Sequence, residues 1–223
     1  MRRPLALLLL LAAACGDDKD PSLTVDSSTL TDAPATGEPD PTTAGSDPTT
    51  DATTDPTEVP PDPVWDTPYC YPVYGPMKWP DPLSSWEDEV VALVNQVRAT
   101  GVDCRSTGTF SPTSPLTVNA SLHCAARVHS KDMADRDYFD HINPDGQDPF
   151  ARMAEAGYGT YASQGENIAA GTPTAADTVD GWLASDGHCA NMLNPAYKEI
   201  GVGAYEGPGE YVYYWTQTFA AKN

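Results

Sequence analysis

Residues 199–219 read EIGVGAYEGPGEYVYYWTQTF, two strand-like runs on either side of Glu206-Gly207-Pro208-Gly209, which is the pattern of a β-hairpin. Successive side chains of a strand point to opposite sides. In the second run, Tyr211, Tyr213, Trp215 and Phe219 therefore share one face, and Val212, Tyr214, Thr216 and Thr218 share the other. Both faces are substantial. Such a strand suits a sheet covered by helices on its two sides.

The segments before the hairpin carry helical periodicity. Ser84-Ser85-Trp86-Glu87 reads as a capping box, followed by Val90, Leu93, Val94 and Val97 at the helical period, with Gly101 as the stop. Asn119 caps a second helix whose stripe is Leu122, Ala125, Ala126, His129 and Met133, so His129 reads as a satisfied core histidine. Asp148 before Pro149 opens a third helix, inward at Phe150, Met153 and Ala154 and ended by Gly157. A fourth runs from Thr174 to Ser185, with Thr174 and Asp177 as its box and Val179, Trp182 and Leu183 inward. Together these elements predict an α/β fold of helix, sheet and helix layers. The domain covers 84–223, and about 140 residues can bury roughly two thirds of their unfolded surface.

The chain of 223 residues has 12 Lys and Arg against 32 Asp and Glu, a net charge of −20. So few cations cannot release the counterions that drive phosphate binding, which excludes nucleic acid as a partner. An anionic membrane surface is disfavoured for the same reason unless a lipid anchor overrides the repulsion. Residues 1–14 have a basic start, an apolar run and small residues, the layout of an export signal. The run is too short to span a bilayer. Alanines directly before Cys15 resemble the lipobox of bacterial lipoproteins, which implies that Cys15 takes the lipid and holds the protein in the cell envelope at its outer surface. Plain secretion is the alternative. Over 15–64 the composition is Asp, Thr, Pro, Ser and Ala, with DPTT at Asp40 and Asp47, and predicts a disordered stalk that cannot offset its ordering entropy. Aromatics return over 65–83, at Trp65, Tyr69, Tyr71, Tyr74 and Trp79, and predict an ordered arm packed on the domain and stapled by Cys70.

Setting Cys15 aside leaves Cys70, Cys104, Cys124 and Cys189, an even number in an exported chain, which reads as two disulfides with all pairings open. A zinc site of all four is disfavoured by the long gaps and the lack of any CxxC. Three polar groups stand in turn-forming surroundings of the kind that line clefts: His141 in FDHINPDG, Glu166 in GENIAAG and His188 in SDGHCANML. Their spacing matches no local metal motif. His123 reads as surface or packing, and Asn167 and Asn191 as hydrogen bonders of loops or helix ends. Ser185 lies three residues before His188, but no GxSxG elbow surrounds it, which disfavours a serine mechanism.

Taken in order, LVNQVR, HSKDMADRDYFDHINPDG, GYGTYASQGENIAAG, GWLASDGHCANMLNPAYKEIGVG and YWTQTF resemble the CAP superfamily of cysteine-rich secretory, antigen 5 and pathogenesis-related proteins, and are most similar to its bacterial extracellular members. The resemblance covers residues 84–221. It implies a three-layer α-β-α sandwich with a central, mainly antiparallel sheet, in agreement with the layer reading, and a central cleft of two histidines and two acids that in some members coordinates a divalent ion. His141 matches the first histidine and Glu166 the glutamate of the GEN motif. The second acid falls on Ser185, and the histidine that many members carry on the last strand aligns with Tyr214. His188 is the bacterial members' own, entering the same cleft from the helix that follows. The implied metal set is then His141, Glu166 and His188, with Ser185, Tyr214 and Asn167 as neighbours and zinc as the candidate cofactor. The resemblance also implies a disulfide between Cys104 and Cys189, leaving Cys70 with Cys124.

Because the implied tetrad is incomplete, the expectation is a surface-anchored extracellular domain that is not catalytic and binds an apolar ligand, envelope component or protein partner near the cleft. The alternative is a metal-dependent, peptidase-like hydrolase of the envelope in which Glu166 ligates the ion or activates water. Relatives also suggest lipid or sterol carriage, although no stretch here marks a lipid groove.

Overall fold

A computed structural model of the chain describes residues 23–26, 67–74 and 79–223. The leader, Cys15 and most of the stalk lie outside the described residues. In chain order the elements are β1 (Leu23–Asp26), α1 (Tyr71–Tyr74), α2 (Asp81–Thr100), β2 (Val102–Asp103), a 3-10 turn (Arg105–Thr107), β3 (Thr109–Phe110), β4 (Thr117–Val118), α3 (Ala120–Arg136), α4 (Pro149–Glu155), β5 (Tyr161–Ala170), α5 (Ala175–Leu183), α6 (Asp186–Leu193), β6 (Glu199–Glu206) and β7 (Tyr213–Lys222). The main sheet has the order β1-β5-β7-β6-β4, antiparallel throughout except where β4 lies beside β6. The stalk reading does not anticipate β1, which pairs with Ser163–Glu166 at the edge of β5.

The two-sided pattern of β7 is realised. Trp215 and Phe219 pack against Val90, Val94, Val179, Trp182 and Met192, beneath α2, α5 and α6. On the other face the Thr218 hydroxyl donates to the carbonyl of Leu122, Ser130 donates to Thr216, and Tyr214 packs with Met133, all under α3. Gly201 and Gly203 let α3 lie directly on β6. A Cβ at either position would come within 2.1 Å and 2.3 Å of the carbonyl carbons of Leu122 and Ala126. Strand β7 begins at Tyr213 rather than 211 because Val212 turns the chain with a φ of 66°.

Three helix starts follow the sequence. Asn119 accepts from the amides of Ser121 and Leu122, Asp148 from Ala151, and Thr174 from Asp177. The first helix departs from it. It begins at Asp81, after Pro80, so Glu87 is not a capping residue but a carboxylate inside the helix with no exposed surface. The inward stripe of α4 is also rotated: Arg152 and Met153 are buried, Phe150 is half-buried and Ala154 is exposed.

Glu87 and His123 close an open strand edge, which corrects the reading of His123 as surface or packing. Strand β4 covers β6 only at Glu199 and Ile200. Beyond it the amides of Val202 and Ala204 donate to His123 Nδ1 at 3.4 Å and to Glu87 Oε1 at 3.0 Å. Arg127 compensates the charge, its Nη2 donating to Glu87 Oε2 at 2.6 Å, and Trp79 Nε1 donates to Oε1 at 3.0 Å. Burial opposes the ionisation of Glu87, yet His123 and Arg127 outweigh it and hold its pKa below the ordinary carboxylate value. A strand edge sealed in this way cannot pair with another chain.

Arg98, the last residue of LVNQVR, is fully buried and donates to the carbonyls of Ser114, Met192, Asn194 and Tyr197, tying α2 to the C-terminal end of α6. Disulfides join Cys70 to Cys124 and Cys104 to Cys189, the pairing that the resemblance implies. The first staples α1 to α3. The second ties the 3-10 turn to α6. Among the described residues no helix is long and apolar enough to cross a membrane.

Candidate functional site

The centre of the site is Glu166, on a strand that its local sequence does not signal. YASQGENIAA is small and polar without alternation, and becomes β5 because it pairs along its length with β7. On the face covered by α3 and α4, Glu166 is 1% exposed. Its Oε1 accepts from His141 Nδ1 at 2.8 Å and from Arg152 Nη2 at 3.0 Å, and its Oε2 accepts from the same Arg152 nitrogen at 2.8 Å. Arg152 Nη1 meanwhile donates to the carbonyls of His141 at 2.8 Å and Gln147 at 2.9 Å. One guanidinium therefore neutralises the carboxylate and fixes the loop that carries the histidine.

Burial raises the cost of charging Glu166, but Arg152, followed by His129 and His141, outweighs it and holds the pKa down at about 2. His129 has no exposed surface, and its Nε2 lies 3.1 Å from the Asp140 carbonyl, to which it donates. Burial pushes its pKa down to about 3, with Glu166 opposing. The ring is therefore neutral at physiological pH, a satisfied core histidine as the helical stripe predicts. The carboxylate can only accept, so Nδ1 of His141 carries the hydrogen of this bond, and Nε2 is the ring nitrogen left outside it. That nitrogen is buried without a hydrogen-bond partner.

Asn167 points the other way, toward α6. Its Nδ2 donates to the His188 carbonyl and to Gln217 Oε1, each at 3.1 Å, while Asn191 donates to Asn167 Oδ1 at 2.9 Å and to the Glu166 carbonyl at 3.3 Å. The reading of Asn167 and Asn191 as hydrogen bonders holds, and they join α6 to β5. His188 is buried, and its flanks are pinned. Cys189 is disulfide-bonded, and Asp186 is held by Arg105 and Ser106.

The structure thus brings His141 and Glu166 together, and it ties the His188 carbonyl to Asn167. Ser185 stands at the N-cap of α6, and Tyr214 pairs in register with Ala170, four residues along β5 from Glu166. Among the described residues no three His, Cys, Asp or Glu side chains are grouped so as to hold one metal ion. His141 Nε2 is the one ring nitrogen of this pair that no hydrogen bond occupies. Both oxygens of Glu166 are committed to Arg152 and His141, so these side chains do not fit a three-ligand zinc centre of the usual kind.

Arg152 is the functional residue that sequence reasoning missed. Its signal was there: it stands four residues after the Asp148 cap, beside Met153, where a helix entered at Pro149 turns inward.

A family model described as the cysteine-rich secretory protein family, CAP, matches residues 91–219. The chain is 37% identical over 143 residues to YkwD of Bacillus subtilis (strain 168), covering 64% of this chain and 50% of that one. It is 35% identical over 91 residues to the membrane protein YlbC of the same organism, covering 41% of this chain and 24% of the other. The chain therefore spans half or less of the length of these relatives. Among solved structures, it is similar to an extracellular protein containing a SCP domain from Bacillus anthracis str. Ames, with a TM-score of 0.53 and 29% identity over 63% of this chain and 41% of that one.

Proposed function

The chain belongs to the cysteine-rich secretory protein (CAP) family, and on that footing we propose that it is an exported domain, held at the cell surface, that binds rather than transforms its partner. In this reading Cys15 carries the lipid anchor that holds the domain at the membrane surface. The partner is engaged beside His141. The observation that supports this most is the commitment of Glu166: its two oxygens are taken by Arg152 and His141. A carboxylate compensated in this way, with its pKa at about 2, is a poor general base and a poor metal ligand. It acts as the keystone that orients the loop around His141. The test is turnover. The purified domain with added zinc, assayed on casein and on p-nitrophenyl esters, should show no hydrolysis above buffer. Turnover abolished by Glu166→Ala would overturn the reading.

The buried, unpartnered Nε2 of His141 favours a second reading, a metal-dependent envelope hydrolase. It requires stoichiometric zinc in the protein purified without chelator, lost in His141→Ala. Metal analysis giving substoichiometric zinc in both proteins would end it.

A further inference from the structure

We propose that the loop after α3 and the turn between β6 and β7 form a docking face for a basic, apolar-bearing stretch of a partner protein. This deepens the reading of the chain as a binding domain and rests on it. The two segments are locked together: Asp137 Oδ1 accepts from the Glu210 amide at 2.6 Å, and the rings of Phe139 and Tyr211 lie 5.9 Å apart. Tyr211 also meets Tyr214 edge-on at 6.1 Å and rests over Gly171, where a Cβ would come within 3.8 Å of its ring. The ring is thus held from three sides and still 41% exposed, the condition of a preorganised aromatic anchor. Val212 beside it is 43% exposed, and Ile142, next to His141 on the neighbouring loop, is 52% exposed. These three stand among only five exposed large hydrophobic side chains of the described residues. Their gathering on two adjoining segments marks an interaction surface.

The charge of the face identifies the occupant. Residues 137–148 contain four aspartates and residues 206–212 two glutamates, against one adjoining cation, Arg136, which pairs with Asp145 at 2.7 Å, so the face keeps a clear negative excess. Aromatic rings among carboxylates attract cations. A second copy of this chain, at a net charge of −20, and an anionic membrane are both repelled. A basic segment with apolar side chains satisfies both parts of the surface.

Val212 provides a variant that cannot be dismissed as unfolded. A β-branched residue is strained at a φ of 66°, and here the turn is held by hydrogen bonds from the Gly207 amide to the Val212 carbonyl and from the Val212 amide to the Gly209 carbonyl. Glycine relieves that strain and removes the exposed side chain. The experiment measures fluorescence anisotropy of a labelled peptide of alternating lysine and leucine with the full chain. Binding should weaken on the order of ten-fold in Tyr211→Ala and in Val212→Gly, the latter with an unchanged or higher Tm. The pair Glu206→Gln and Glu210→Gln should weaken binding and flatten its salt dependence. The pair Asp88→Asn and Glu89→Gln, an equal charge change on the exposed side of α2, should leave it unaltered. Equal losses in the two charge pairs would reduce the effect to net charge and overturn the proposal, as would equal binding of the glutamate–leucine counterpart. Absent binding without cleavage refutes the docking face alone, whereas cleavage of the peptide refutes the binding reading beneath it.

Discussion

Arg152 holds both carboxylate oxygens of Glu166 with one nitrogen and the carbonyls of His141 and Gln147 with another. A single side chain from α4 thereby fastens β5 to the loop before α4. Removing one partner of a buried ion pair strands the other charge, at a cost of about 3–5 kcal/mol. Arg152→Met should lose stability of that order in urea unfolding. Arg152→Lys keeps the charge but not the fork, so it should fall between the variant and wild type. Wild-type stability in Arg152→Met would show that the pair is not a keystone.

Acid should weaken the fold in two stages. The folded pKa of His129 is about 3 against an ordinary value of 6.5, so between those values the unfolded chain binds a proton that the native state refuses. Stability is therefore full above 6.5 and declines as pH falls toward 3. Glu166 acts lower, because its contribution is complete above 4.5 and is lost as pH falls toward about 2. Urea midpoints measured across this range should show the decline, and His129→Gln should flatten its upper part. An unchanged slope in that variant would contradict the assignment.

The seal on β6 can be read by hydrogen exchange. Glu87→Gln weakens the pairing with Arg127 and the acceptor of the Ala204 amide. Exchange at Ala204 should accelerate more than at Gly203. Equal protection in wild type and variant would mean that Glu87 does not close the edge.

Non-reducing peptide mapping should recover Cys70 with Cys124 and Cys104 with Cys189. Replacing Cys104 and Cys189 together by serine should cost about 2–5 kcal/mol in urea unfolding, because the bridge closes a long loop and fixes the start of α6. Recovery of Cys104 joined to Cys124 would refute the pairing.

The layers were legible where a pattern is local. The two faces of β7, the caps at Asn119, Asp148 and Thr174, and the buried stripe of α3 all appear in the sequence as they do in the fold. Two kinds of feature were not. Strand β5 has neither alternation nor bulk, since its burial comes from a partner about fifty residues downstream rather than from its own composition. Arg152 and Glu87 are charges, which pattern reading sends to the surface or to a helix cap, and only the fold supplies the opposite charges that allow them inside.

The most direct test of the keystone is urea unfolding of wild type and Glu166→Ala, each with and without excess zinc. The variant should lose about 3–5 kcal/mol, because Arg152 is left buried without its counter-charge, and zinc should move neither midpoint. The opposite result, a variant as stable as wild type together with a wild-type midpoint that rises with zinc, would make Glu166 a metal ligand and contradict the account.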